Sequence, residues 1–475
     1  MNPEDYLDAL LSLPDMQDYP PQVSPDGKWA AWTWFRVGSA GDVFAVPADG
    51  SAPPLRLSDT DDEAMLLSWT PDSRAVIVAQ DQDGNERVQL FRIDLDNPLV
   101  MQPLTEPEPN YYIQGGQLHP NGKWLVYAAN LDLESGSEIE ATRVYRHDLE
   151  NGERLLLASL QKPVYMEPKL NTTGTHILYE RKDLHPAGQQ TWLVDINGQE
   201  DREILNFGPE IKTFARWLPD SRRALVQVET NTHRRVGIWS LDDDEIRWLL
   251  DDPERDIEDA FMPYGSQQAV IWQHWQGRVR CSLMKVDTGK ETLLSDIPGN
   301  LIPLAPIPSS KGSGERGEGA WLAFYYASRQ PADLVRCSLA DLRPENFTSL
   351  TGIWQRTPLS PKKFIQAEDF RWLSADGLQI HGWLYRTQKD TRGTVIYIHG
   401  GPTWHSPDWI NAELQFFAAQ GFNVLDINYR GSTGYGLPFR VAILEDGWGG
   451  REQDDIRAGI EALIAAGIAQ PGKIG

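Results

Sequence analysis

The sequence has 475 residues, too many for one ordinary core, and its 40% apolar share with 18 Trp fits a folded globular protein of two domains. A formal charge of -24, from 44 Lys and Arg against 68 Asp and Glu, repels nucleic acid and anionic membrane, so neither is expected as a partner. The acidic opening MNPEDYLDALLSLPD does not read as a signal peptide and no apolar run reaches membrane-spanning length, which predicts a soluble, cytoplasmic protein.

Residues 1–20 are expected to be a helical segment, with one short amphipathic helix from Pro3 to Leu13 that carries Pro3 and acids in its first turn. The sequence then repeats itself over residues 21–357. A turn followed by a short apolar strand recurs as SPDGKWAAW, TPDSRAVIV, HPNGKWLVY and LPDSRRALV, with weaker copies NTTGTHILY, MPYGSQQAVI and IPSSKG…GAWLAFY. The position of the turn proline falls at Pro25, Pro71, Pro120, Thr172, Pro219, Pro263 and Pro308. A second marker, a strand ending in a Leu-Ser or Leu-Thr-like pair, keeps the same beat at Leu57, Leu104, Leu157, Leu205, Leu249, Leu294 and Leu350. A period of about 40 to 50 residues with several short strands per unit is the mark of a β-propeller, so seven blades are predicted. The Asp-Gly type turns serve tight hairpins that tolerate positive φ, and are read as structure rather than as ligands. The insert 309–319, SSKGSGERGEG, reads as a mobile loop of the last blade. Cys281 and Cys337 lie in matching VRCSL settings and read as buried thiols in related positions.

The pattern changes over residues 358–475. Phe370 to Leu373, the turn 374–377 and Leu378 to Tyr385 form a hairpin. Thr394 to Ile398 reads as a strand buried on both faces, broken by His399-Gly400-Gly401-Pro402. A helical segment carrying Leu414, Phe416, Phe417 and Ala418 stops at Gly421, and Phe422 to Ile427 is a second apolar strand. Strand, loop, helix and strand make a βαβ crossover, hence a parallel sheet. The glycine-rich loop NYRGSTGYG follows at 428–436, then a helical stretch at 437–446. Asp454 to Ala466 is an amphipathic helix with Asp454 and Asp455 at its amino end, and 472–475 look like the first step into another strand. Two glycines at a strand's carboxyl end let backbone N–H groups point into an open site, as in half of an α/β-hydrolase oxyanion hole.

Seven units before HGGP at 399–402, NYRGSTGYG at 428–436 and WGGREQDD at 448–455 resemble the prolyl oligopeptidase family of serine peptidases, in its acylaminoacyl-peptidase- and dipeptidyl-peptidase-like branch. The resemblance covers nearly the whole chain. It implies a seven-bladed all-β propeller followed by a partial α/β-hydrolase domain, and short peptides as substrates. It also implies that Gly401 N–H, with Gly400 supporting the turn, stabilises the tetrahedral oxyanion. Arg430 is a candidate for holding the loop or a substrate carbonyl. His399 matches the family's HGGP histidine, which is not the catalytic base, and reads as a hydrogen-bonding residue that shapes the loop; His381 and His405 have no stronger claim, and Asp426, at a strand end, has no Ser or His partner placed to use it as a triad acid.

The chain departs from the family at the nucleophile. No G-x-S-x-G occurs: Ser432 has Arg430 two places before it and Ser313 has Lys311. The family's order of Ser, Asp and His therefore puts all three beyond Gly475, and residues 1–475 alone are expected to be inactive, with an unpaired apolar edge on the Val395 to Ile398 strand. A propeller-based binding protein with a vestigial hydrolase half, or an esterase of the same fold, are the alternative readings. No metal cluster or phosphate loop is present, so no cofactor is implied. Exo against endo cleavage, side-chain preference and oligomeric state have no motif here.

Overall fold

The computed structural model describes residues 1–16, 21–38, 40–308, 319–401 and 403–475. The loop expected at 309–319 falls outside them up to residue 318, as does residue 402 of the HGGP turn.

Among the described residues the first part of the chain forms seven four-stranded antiparallel sheets, each made of four strands consecutive in sequence, spanning 22–56, 64–103, 113–159, 169–203, 212–250, 257–293 and 300–349. This is the seven-bladed propeller. Its second strands follow the predicted turns: Trp29–Trp34, Ala75–Gln80, Trp124–Asp132, His176–Arg181, Arg223–Glu229, Gln268–Trp275 and Ala320–Ala327. Gly27, Gly122, Gly174 and Gly265 take positive φ in those turns, and so do Ser73 and Ser221, both at 60°. The serines are used between blades: Ser73 Oγ accepts from Asp26 N and Ser221 Oγ from Thr173 N, both at 3.0 Å. A hydroxyl that links neighbouring blades offsets the strain of a side chain at positive φ.

Apolar side chains fill the spaces between blades. Ala31 and Val43 of the first pack against Val76 and Val78 of the second. Leu322, Phe324 and Leu334 of the seventh close the ring against Trp32 and Phe44 of the first. Cys281 and Cys337 are free and buried in the third strands of the sixth and seventh blades, where burial raises both thiols, Cys337 to about 12.

The remaining strands, Ala367–Leu373, Gln379–Tyr385, Gly393–Ile398 and Phe422–Asn428, form one mixed sheet in which the fourth lies between the second and third. Gly393–Ile398 and Phe422–Asn428 are parallel, in register from Gly393 opposite Phe422 to Ile398 opposite Ile427, and the helix Ala412–Ala419 connects them. The crossover is therefore as predicted, and the sheet is the partial α/β-hydrolase. Residues 473–475 start a further parallel pairing on the other side of Gly393–Ile398: Ile396 N donates to Gly475 O at 2.8 Å and Gly475 N to Thr394 O at 3.0 Å. That pairing covers only the first half of the strand. The edge expected to be unpaired from Val395 to Ile398 is therefore paired at Ile396, and the strand expected to be buried on both faces is only partly so, with Ile398 50% exposed.

Two details differ from the sequence reading. The last helix runs Arg451–Ala465, so Asp455 lies inside it, fully buried, rather than at its amino end. The amino-terminal helix, Pro3–Leu11, packs Tyr6, Ala9 and Leu10 on Leu359, Phe364 and Phe416, so its apolar face belongs to the hydrolase core. No helix among the described residues is long and apolar enough to cross a membrane.

Candidate active site

The parallel strands deliver their carboxyl ends to one edge of the sheet, where open α/β sheets hold their ligands. Gly393–Ile398 ends there in His399, Gly400 and Gly401. Gly401 has φ +128°, and a Cβ on it would lie 3.1 Å from Thr403 N, so only glycine makes this turn unstrained. Gly400 and Gly401 are exposed.

His399 behind them is 4% exposed. Its Nδ1 is 2.8 Å from Gly400 O and its Nε2 3.0 Å from Ser432 Oγ. The ring stacks on Tyr429 at 4.7 Å, and Tyr429 OH donates to His399 O at 2.8 Å. Burial holds the imidazole below its ordinary value, so it is neutral near pH 7.

The descending limb of the loop is fixed by buried polar groups, among them Asp426, which has in Ser406 the serine partner that the sequence reading did not give it. Ser406 N donates to Asn428 Oδ1 at 2.7 Å, Trp383 Nε1 to Ser406 O at 2.8 Å, and Ser406 Oγ to Asp426 Oδ1 at 2.6 Å. Burial pushes the Asp426 carboxyl up to about 7, and its Oδ2 has no hydrogen-bond partner among the described residues. Asp408, 0% exposed, crosses to the propeller: its carboxylate accepts from Gly299 N at 3.1 Å and Ser328 N at 2.9 Å.

Arg430 is 1% exposed and sits inside the domain. Its Nε and Nη2 bond to Asp455 at 2.9 and 2.7 Å, and its Nη1 and Nη2 to Asp376 at 2.8 and 3.0 Å. This ties the 428–436 loop to the 374–377 turn and the last helix. The guanidinium faces protein acceptors, and of the two roles expected for Arg430 this geometry is that of holding the loop.

The same loop docks on the propeller, with Gly434 N donating to Asp256 Oδ2 at 2.7 Å and Gln276 N to Gly434 O at 2.8 Å. His405 is packed against His274 of the sixth blade at 4.3 Å between ring centroids, with its Nδ1 2.7 Å from Thr433 Oγ1. His381 is occupied by Tyr435 OH at 2.6 Å and Asp369 Oδ1 at 3.2 Å. A cleft between the domains is lined by Glu229, Arg234 and Glu258 from the propeller and by Thr433, Leu437 and Arg440 from the hydrolase part. Among the described residues no cluster of three or more His, Cys, Asp or Glu could hold a metal ion.

This sheet order, glycine turn and propeller dock coincide with a sequence match of residues 408–475 to the Prolyl oligopeptidase family. In that segment the chain is similar to the prolyl oligopeptidase family. A curated relative, dipeptidyl aminopeptidase BIII of Pseudoxanthomonas mexicana, is 20% identical over 97% of this chain and 66% of its own length. A puromycin-hydrolyzing peptidase of Mycobacterium tuberculosis superposes with a TM-score of 0.74 at 17% identity, over 100% of this chain and 74% of that one. The acylaminoacyl peptidase of Pyrococcus horikoshii does so with a TM-score of 0.70 at 17% identity, over 98% and 72%. These superpositions establish the prolyl oligopeptidase fold. The chain thus spans just under two thirds of the length of that curated relative, 66%.

Proposed function

We propose that the protein is a serine peptidase hydrolysing short peptides through nucleophilic attack, an acyl-enzyme and water. Gly401 N–H, with Gly400 setting the turn, is one oxyanion donor. The serine, aspartate and histidine are assigned to sequence outside residues 1–475, and the second donor to the residue after that serine. The observation that carries the reading is the exposed glycine turn at the carboxyl end of Gly393–Ile398, flanked by a parallel strand that begins at 473–475 on the side where a nucleophile elbow would rise.

The propeller, proposed as residues 21–357 with the hydrolase part at 358–475, would screen substrates by size. The names of the relatives support peptide and aminoacyl-amide substrates. Two free, buried cysteines suit a reducing, cytoplasmic setting.

The test is a fluorophosphonate probe applied to the full-length protein and to residues 1–475. Labelling of the longer chain only is expected, with peptides hydrolysed in preference to esters. A label on any residue of the shorter chain would overturn the assignment.

A further inference from the structure

A single exposed apolar side chain is ordinary on a protein surface. Trp404 differs from that ordinary case in how it is held and in where it stands. It is 41% exposed, yet its ring has three aromatic neighbours: His399 at 5.3 Å and 78°, His405 at 6.2 Å and 26°, and Trp409 at 6.1 Å and 63°. Its backbone carbonyl accepts from Thr433 N at 3.1 Å, and Thr433 Oγ1 lies 2.7 Å from His405 Nδ1. An indole fixed in this way has little rotamer freedom left to lose when a ligand lies on its open face.

A Cβ built on Gly401 would lie 3.3 Å from Trp404 Cβ, so the indole springs from beside the glycine whose N–H is read as the oxyanion donor. A carbonyl oxygen bound by that N–H at about 2.9 Å carries its carbon about 1.2 Å further on, with the two flanking Cα atoms within a further ~2.5 Å. Either residue of the scissile bond therefore brings its side chain within the span of the ring. The three neighbours of the ring all belong to the hydrolase part, which leaves its exposed area on the solvent side of the glycine turn. Thr433, bonded to Trp404, lines the cleft between the domains, so the indole stands between that cleft and the donor.

We propose that Trp404 is a specificity-determining residue: its open face carries an aromatic or large apolar side chain of one of the two residues that share the scissile bond. The inference rests on the reading of Gly401 as an oxyanion donor and adds to it a class of substrate. A flat apolar group suits the ring because stacking and loss of wetted area act together there, whereas alanine leaves the indole wet. The contact involves no reacting atom. It strengthens the bound substrate and the transition state alike, and is felt mainly in KM.

The test is the kinetics of the full-length protein on two sets of quenched peptides, one varied from Phe to Ala on the amino side of the cleaved bond and one on its carboxyl side. A preference for Phe over Ala of about tenfold in kcat/KM is expected in one set. Trp404→Ala is expected to remove most of it by raising KM for the Phe peptides, and Trp404→Phe to keep it within about threefold. No Phe preference in either set, or a preference that survives in Trp404→Ala, overturns the proposal. So does a fall in kcat shared equally by the Phe and Ala peptides, which is what a mere brace of the turn would give. Gly401→Ala separates the two readings, because it is expected to lower kcat for both peptides and keep their ratio. Full activity in that variant would overturn the donor reading and leave the ratio assigned to Trp404 standing.

Discussion

Ser328, at a hairpin end of the seventh blade, donates its backbone N–H to Asp408 of the hydrolase part at 2.9 Å, across a seam where neither residue is exposed. Gly299 N reaches the other oxygen of the same carboxylate, Asn300 Nδ2 donates to Asp408 O at 2.7 Å, and Asp408 N donates to Gly277 O at 2.9 Å. One residue thus gathers hairpin ends of two blades. Asp408→Ala would leave two buried N–H groups without an acceptor and is expected to destabilise the seam by about 2 to 4 kcal/mol. Calorimetry should show the unfolding endotherm split in two; a single, unshifted transition would count against the clasp.

Arg430 and Asp455 are a buried pair completed by Asp376, and removing the cation alone leaves Asp455 buried without its partner. Arg430→Met is expected to lose about 3 to 5 kcal/mol in urea unfolding. Arg430→Lys should recover little, because an ammonium cannot reproduce the fork that meets both carboxylates. Asp376 is held well below the usual carboxylate range, first by its hydrogen bond from Arg430. Its contribution is present above the unfolded carboxylate pKa and lost as pH falls into the acid range.

Asp426 has the opposite sign. Burial raises its carboxyl to about 7, so its contribution is complete below the unfolded value near 4 and is lost as pH rises through about 7. Asp426→Asn keeps an acceptor for Ser406 Oγ and cannot ionise. The variant is expected to gain on the order of 2 to 4 kcal/mol over the parent between pH 4 and pH 8. Equal pH dependence in the two proteins would show that Asp426 does not titrate in this window.

Gly401→Ala is expected to lower kcat by about 10²-fold, since a Cβ in this φ range meets the backbone N of Thr403 at 3.1 Å and turns the N–H aside. The substitution lies on an exposed turn, so the thermal midpoint should move little. Peptide kinetics on the full-length protein, read beside that midpoint, separate lost aim from lost fold.

The seven units were legible because each repeats a turn with its own chemistry, down to the Asp-Gly and Asp-Ser pairs whose second residue takes positive φ. The βαβ unit was legible because Gly401 and Gly421 punctuate apolar runs. The partners of the site were not. Asp408 and Ser406 sit in a stretch with no motif, and Asp455 looked like a helix-start acid, because ion pairs and clasps join residues far apart in sequence. The amino-terminal helix showed its apolar stripe at Tyr6 and Leu10, but periodicity does not say which domain that stripe covers.

The hydrolase part is fastened to the ring unevenly. Over the sixth and seventh blades the bonds to Asp408 are dry. Over the fifth, one link is Arg440 to Glu229 at 3.8 Å, between side chains 24% and 18% exposed. Ionic strength screens the second kind of contact and hardly touches the first. Salt is therefore expected to loosen the side beside Arg440 while the contacts of Asp408 and of Gly434 and His405 with the sixth and seventh blades hold, widening the mouth there. Small-angle scattering in low and in molar salt should register this as a modest growth in radius of gyration that Arg440→Ala reproduces without salt; no growth in either would mean the mouth is held by something other than charge.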